Sequence, residues 1–223
     1  MEKLDVHQMT MKLIDGLKLM GRPAEIPDCS RDDLPQFFVE MGFKIGAEIG
    51  VARGEFSEVI AKSGLRLYSI DPWLSYSDYI DDRGQEVEDQ IYRKTKERLG
   101  KYPNCTIVRK TSMDAAAGFA DRSLDFVYID GNHQFKYVAG DICEWSKKVK
   151  VGGIISGHDY IYTNPRTQAG ICHVIYVVNA YTQAYKIGNW YLLGRKHAEE
   201  GEKRDKFRSW MFINKEFKFR KNV

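Results

Sequence analysis

Two short runs of this sequence bring together the acids and imidazoles that bind cations and move protons. Asp130-Gly131-Asn132-His133 follows the apolar run Leu124 to Ile129, and His158-Asp159 follows the glycine-rich run Gly152 to Gly157. Carboxylates with imidazoles can hold a divalent cation; oxygen donors suit magnesium or calcium, and added imidazole shifts the preference toward manganese, iron or zinc. Taken singly, Asp130 could equally accept nearby backbone amides, and His158 could fix the loop after its strand. Four such groups at the ends of neighbouring strands point instead to a site. A third run, Glu48-Ile49-Gly50-Val51-Ala52-Arg53-Gly54, places an acid ahead of two spaced glycines, and Asp71 closes a further apolar run, Leu67 to Ile70.

The glycine run has a direct physical reading. A chain that leaves a strand and turns at once into a helix needs residues without Cβ where it bends or meets a ligand, which is the place of Gly50 and Gly54. The helix expected from about Glu55 to Lys62 carries Phe56, Val59 and Ile60 as an apolar stripe. Asp71 follows the loop by about twenty residues, where an acid at a strand end accepts ribose hydroxyls. The three-glycine pattern that cradles a dinucleotide pyrophosphate is missing. Glu48 would repel a phosphate and suit an ammonium group. A ligand with a ribose, an ammonium and no phosphate fits, and S-adenosylmethionine is one. The alternative is the strand, turn and helix of some other α/β protein.

On AEIGVARG as a first motif and YSIDPW as the ribose-binding acid with its neighbours, the sequence resembles the class I S-adenosylmethionine-dependent methyltransferases. The strand-end acids extend the resemblance to the catechol-, macrocin- and cephalosporin-type O-methyltransferases. The likeness runs from about Lys44 to Asp159 and more weakly through Ser209 to Ile213. It implies cofactor contacts from Glu48, Gly50, Val51, Gly54, Asp71 and Asp130, from Ser112 in the adenine-contacting segment, and from Trp73 on the adenine face; for Trp73, plain packing is the alternative. It also implies a magnesium or other divalent cation on Asp130, His158 and Asp159. The catechol enzymes carry Asp-Asn at the last two positions, so His158 departs from the pattern. His133 stands where that family has its catalytic lysine, as base or as metal ligand.

These residues need a scaffold, and the chain supplies one. From Lys44 onward, strand-like and helix-like runs alternate: strands at Ile45 to Ile49, Leu67 to Ile70, Thr106 to Val108, Leu124 to Ile129 and Ile154 to Ser156. One intervening helix is spaced by Val87, Ile91 and Leu99, another by Val138, Ile142, Trp145 and Val149. The expected fold is α/β and Rossmann-like, a doubly wound, mostly parallel seven-stranded sheet. A helix from Ile171 to Tyr185 and an antiparallel closing pair, Asn189 to Leu193 and Ser209 to Ile213, complete it. Residues 1–43 read as an N-terminal helical extension, a lid, a dimer contact or a cover for one sheet edge, and residues 44–223 as the cofactor-binding domain. In the extension Val6, Met9, Leu13, Leu17 and Met20 form a stripe, and a second helix opens at Asp33, with the Asp33 carboxylate as its cap.

Composition narrows the function classes. A chain of 223 residues with net charge +3 has no overall nucleic-acid footprint, although residues 195–223 hold ten Lys or Arg against five Asp or Glu. The four cysteines form no C-x-x-C pair and read as reduced thiols; with no signal-like or membrane-length apolar run, a soluble cytoplasmic protein is expected. The expected function is an S-adenosylmethionine-dependent O-methyltransferase acting on a small-molecule hydroxyl, with a homodimer as one open assembly and possible divalent-metal assistance. Its rivals are an NAD(P)-binding oxidoreductase and a non-catalytic nucleoside- or nucleic-acid-binding module. Tyr92 and Lys96 have the reductase spacing but fall too early in the chain for hydride chemistry.

Overall fold

The computed structural model describes residues 13–76, 82–162 and 172–215. Eight strands, β1 (Ala24–Ile26), β2 (Ile45–Ile49), β3 (Arg66–Ile70), β4 (Cys105–Val108), β5 (Leu124–Ile129), β6 (Val149–Gly157), β7 (Tyr191–Leu193) and β8 (Trp210–Ile213), form one sheet in the order β1-β7-β8-β6-β5-β2-β3-β4. All neighbours pair parallel except β8, which runs antiparallel to both β6 and β7. Residues 13–16 are helical, and the α-helices bounded within the described residues are α1 (Leu34–Glu40), α2 (Glu55–Lys62), α3 (Gln85–Leu99), α4 (Ser112–Ala116), α5 (Phe135–Lys148) and α6 (Val174–Ala184). Helices following β2, β3 and β5 return the chain to the next parallel strand, the connection that right-handed crossovers require.

The expected α/β class and the antiparallel closing pair are present, with one strand more than the seven expected. The eighth is β1, within a segment read as helical: residues 24–26 pair with β7 and extend the sheet edge. Val6 and Met9 lie outside the described residues, while Leu13 is buried with Ile26, Phe37 and Phe38 under the sheet. Asp33 does not cap α1 with its side chain. Its carboxylate turns back to accept the Ser30 N–H at 2.8 Å and pairs with Lys203 at 2.8 Å.

Two layers of side chains cover the sheet. Ala47, Val127, Ile129 and Ile155 face Val138, Ile142 and Trp145 of α5 and Val174 and Val178 of α6. Phe126 and Tyr128, alternating on β5, face Phe38 of α1 and Phe56 and Ile60 of α2. All six β5 residues are buried, as a central parallel strand requires. Val149, expected to close α5, instead opens β6 opposite Leu124, and an irregularity in the β5–β6 pairing follows it. In α3 it is Thr95 rather than Val87 that faces inward; Val87 is 40% exposed. All four cysteines are free thiols, and among the described residues no helix is long and apolar enough to cross a membrane. Ile171 lies outside the described residues.

Candidate active site

The parallel ladder runs on past the strand ends, and this sets the site. His158 N–H donates to Ile129 O at 3.1 Å, Asp130 to Ile49 at 2.7 Å, Gly50 to Ile70 at 2.9 Å and Asp71 to Val108 at 3.2 Å. These four positions therefore stand in one row along the carboxyl edge, where open α/β sheets bind ligands.

The glycine loop is held from three directions. Gly50 has φ +86°, and a Cβ there would come 2.2 Å from the Asp130 carbonyl oxygen, so the β2 and β5 exits are packed backbone on backbone. Gly54, at φ +72°, opens α2. Asp71 Oδ2 accepts the N–H groups of Val51 and Ala52 at 2.9 and 3.0 Å, and its Oδ1 accepts that of Trp73 at 2.7 Å. Burial raises the Asp71 pKa against the pull of these three amides. A carboxylate offers about four lone-pair sites; three are engaged within the chain, and Oδ1 keeps one to offer.

Trp73 does not offer a face to a ligand. It is fully buried, its ring lies 4.9 Å from that of Tyr92, and its indole N–H donates to Ala52 O at 2.9 Å. Thr95 donates to the same carbonyl at 2.7 Å. Trp73 anchors the loop, and Tyr92 is its packing partner rather than a hydride-chemistry residue.

Glu48 lies buried on β2, facing α2. Ser57 donates to its Oε2, and Ser57 and Ser69 share a hydrogen bond of 2.7 Å. Burial, with Asp130 and Asp71 adding to it and the Ser57 hydrogen bond opposing it, pushes the Glu48 pKa up to about 8. Ser112, expected near adenine, spends its hydroxyl inside the protein: it donates to Asp141 Oδ1 and accepts the Trp145 indole N–H at 2.8 Å.

Asp141 is a buried acid that sequence reading passed over, because a lone Asp in an amphipathic helix carries no pattern. Burial lifts its pKa to about 6, with the Ser112 hydrogen bond opposing. The folded value lies above the unfolded one, so folding favours the protonated form. Stability from this group is fully present below about pH 4 and is lost as pH rises through 6. Asp141→Asn is therefore expected to raise stability by about 2–3 kcal/mol at pH 8 and to change little at pH 4, as read by denaturant unfolding at the two pH values.

The acid and imidazole cluster forms, with a changed membership. Asp130, His133 and Asp159 each point a donor atom into one region, all within 4.8 Å of one another. His133 Nε2 is 3.0 Å from Asp159 Oδ2 and 3.5 Å from Asp130 Oδ1, and it is buried with no hydrogen bond aligned on it. His158 Nδ1 stands farther out, 3.4 Å from Asp159 Oδ1 and 3.9 Å from Asp130 Oδ1, so His133 takes the inner place expected of His158. Burial works against a charged His133, but the two carboxylates outweigh it and hold its pKa up to about 10. Facing these two acids, the ring favours its protonated form, which weakens it as a proton acceptor unless the acids are engaged elsewhere. Burial raises the Asp159 pKa, but His133 and His158 outweigh it and keep the carboxyl well below its ordinary range. Asp159 itself has φ +57°, one of several residues with left-handed backbone around the site, with Ala52 at +45° and Trp73 at +43°.

Arg31 was not foreseen as a site residue. Its Nη1 lies 3.2 Å from Asp130 Oδ2, its backbone N–H donates to Asp205 at 2.8 Å, and its guanidinium sits 5.2 Å over the Phe56 ring. The Ser30-to-Asp33 run marks a helix start, but no sequence spacing relates residue 31 to residue 130.

The family described as a methyltransferase domain matches residues 47–160. A curated relative, the uncharacterized protein y4gI of Sinorhizobium fredii, is 23% identical over 52% of this chain, which spans only 12% of that relative. Among solved structures, an O-methyltransferase from Bacillus cereus in complex with SAH is similar at TM-score 0.56 and 12% identity, over 96% of this chain and 92% of that one. A protein assigned as a caffeoyl-CoA O-methyltransferase from Staphylococcus aureus gives TM-score 0.56 and 13% identity, over 82% of each chain. At such identities the structural likeness speaks for the fold.

Proposed function

We propose, for a chain that belongs to the class I S-adenosylmethionine-dependent methyltransferases, methyl transfer to a hydroxyl oxygen of a small molecule with adjacent oxygens, such as a sugar, a polyketide or a phenol. The observation that carries this reading is the Asp130, His133 and Asp159 cluster standing beside the Gly50 loop on one sheet edge.

S-adenosylmethionine, when bound, supplies a methyl group on a cationic sulfur. Glu48 is the group for its ammonium end, Asp71 Oδ1 the acceptor for its ribose, and Gly50, Val51 and Gly54 give the backbone room. The adenine side falls to the segment around Ser112, whose own hydroxyl is engaged with Asp141 and Trp145, with Trp73 acting behind the loop. The acceptor's hydroxyl must be brought into line with the methyl carbon, and placement of this kind can supply much of the rate.

The cluster also fits a divalent cation: two carboxylates and an imidazole nitrogen left without an aligned partner, a donor set suited to manganese, iron or zinc as well as magnesium. Asp130, Asp159 and His133 would hold it, with His158 behind Asp159, and it would supply acidity to the acceptor's hydroxyl. As a ligand His133 must be neutral. The described part of the N-terminal segment, residues 13–43, takes the role of a cover, since Arg31 reaches Asp130. A cytoplasmic location suits this chemistry.

Because Glu48 holds its proton up to about pH 8, taking up an ammonium group at pH 7 is expected to release that proton. The affinity for S-adenosylmethionine should then rise with pH from 6 to 8, by up to about tenfold per unit. Calorimetry in two buffers of different ionisation enthalpy measures the release; a heat independent of buffer would remove Glu48 from this role.

The reaction itself is tested with methyl-labelled S-adenosylmethionine against a panel of phenols, sugars and polyketides, with and without added manganese or magnesium. Label on an acceptor oxygen supports the reading. Label only on nitrogen or carbon acceptors would replace it with another acceptor class.

A further inference from the structure

A second cavity lies away from the strand-end site, at the outer flank of the sheet. Its volume is about 490 Å3, within the range of small-molecule pockets, and it lies between the C-terminal half of α6, the 186–190 turn and Arg22. Ile187 and Trp190, 3% and 2% exposed, form an apolar floor. Every titratable lining residue is cationic, namely Arg22 and Lys186, and among the described residues neither has an ion pair with a carboxylate.

The carboxyl end of a helix favours nearby cations, so two positive charges beside α6 would by themselves be unremarkable. The polar groups around them add a second observation. Tyr160 donates to Asn179 Oδ1 at 2.9 Å, which leaves the Asn179 amide N–H2 as the free end of that lining side chain. Gln183 adds a second amide to the wall. The Trp190 indole N–H makes no hydrogen bond among the described residues, and the Tyr160 ring stands edge-on to the indole at 5.5 Å. Unpaired cations and spare N–H donors around a flat apolar floor, without an acid, are complementary to an anion carried on a flat body.

We propose that this cavity is a second ligand site, separate from the methyl-transfer site, for a small organic anion bearing a phosphate or a carboxylate on a planar apolar group. Phosphate and carboxylate share the recognition chemistry: both accept from Arg, Lys and amide donors.

The test is calorimetric titration of the full chain with phenyl phosphate and with benzoate, using benzyl alcohol as the uncharged control. At least one anion should saturate a single site, with benzyl alcohol weaker by about tenfold or more, since the charge-assisted hydrogen bonds are lost. The preferred anion identifies the headgroup. The pair Arg22→Gln and Lys186→Gln should weaken that binding by about tenfold or more, while Arg22→Lys with Lys186→Arg retains most of it. Far-UV circular dichroism checks that each variant is folded. The proposal is overturned if neither anion saturates, if the folded Gln pair binds as tightly as the unaltered protein, or if S-adenosylmethionine displaces the anion competitively.

Discussion

Replacing Asp130 and Asp159 together by Ala is expected to lower methyl transfer by about 10²–10⁴-fold, the range of losses when a positioned acid–base group is removed. Affinity for S-adenosylmethionine should stay roughly unchanged, because the glycine loop is held by Asp71, Thr95 and Trp73 rather than by this pair. The reason for the asymmetry is local. Asp130 and Asp159 are the two carboxylates facing His133 Nε2, and Asp130 is the partner of Arg31. Removing both leaves the Arg31 guanidinium and the His133 ring without their carboxylate partners. Asp130→Asn with Asp159→Asn keeps the volume and separates charge from packing. Single-turnover rates beside cofactor binding read the two effects apart; an unimpaired rate in either double variant would remove the cluster from the chemistry.

The second large effect is on stability. At Gly50 an added Cβ meets the Asp130 carbonyl oxygen at 2.2 Å and Gly131 Cα at 2.5 Å, with φ at +86°. Left-handed strain costs about 1–3 kcal/mol and overpacking a similar amount, so Gly50→Ala should lose roughly 3 kcal/mol or more. For a chain of this size that lowers Tm by about 6–12 °C. Gly64 is the control: its φ is also +86°, but a Cβ there meets nothing within 4 Å. Gly64→Ala should cost only the backbone strain, about 1–2 kcal/mol. Equal losses at the two sites, by thermal or denaturant unfolding, would mean that the β2–β5 backbone contact does not matter.

What the sequence revealed and what it hid follow from the range of the interactions. Strand ends and the glycine loop were legible because apolar runs, glycines and the acids after them lie within a few residues of one another. The apolar run Leu124 to Ile129 reads as a strand, which places Asp130 at its end; its central position comes from the fold. Strand β1 was hidden because three residues beside a proline carry little periodicity; it exists through its pairing with β7. The exchange of His133 for His158 at the centre of the cluster depends on side-chain direction after two strands, which spacing does not encode. For Trp73 the packing alternative holds over the stacking one, for a related reason. An aromatic beside a ribose-binding acid suggests a stacking face, but the positive φ at Trp73 turns the ring inward onto Tyr92. Arg31 and Asp141 act across 99 and 29 residues, on Asp130 and Ser112, and only the fold brings those pairs together.

The proposed reaction requires the carboxyl edge of the sheet, from Glu48 to Asp71, to be a seat for S-adenosylmethionine. The most direct measurement is isothermal calorimetry of the purified, folded protein with S-adenosylmethionine and with its demethylated product. Saturable one-to-one binding of both is the predicted result. A folded protein that takes up neither would contradict the seat and the reaction built on it.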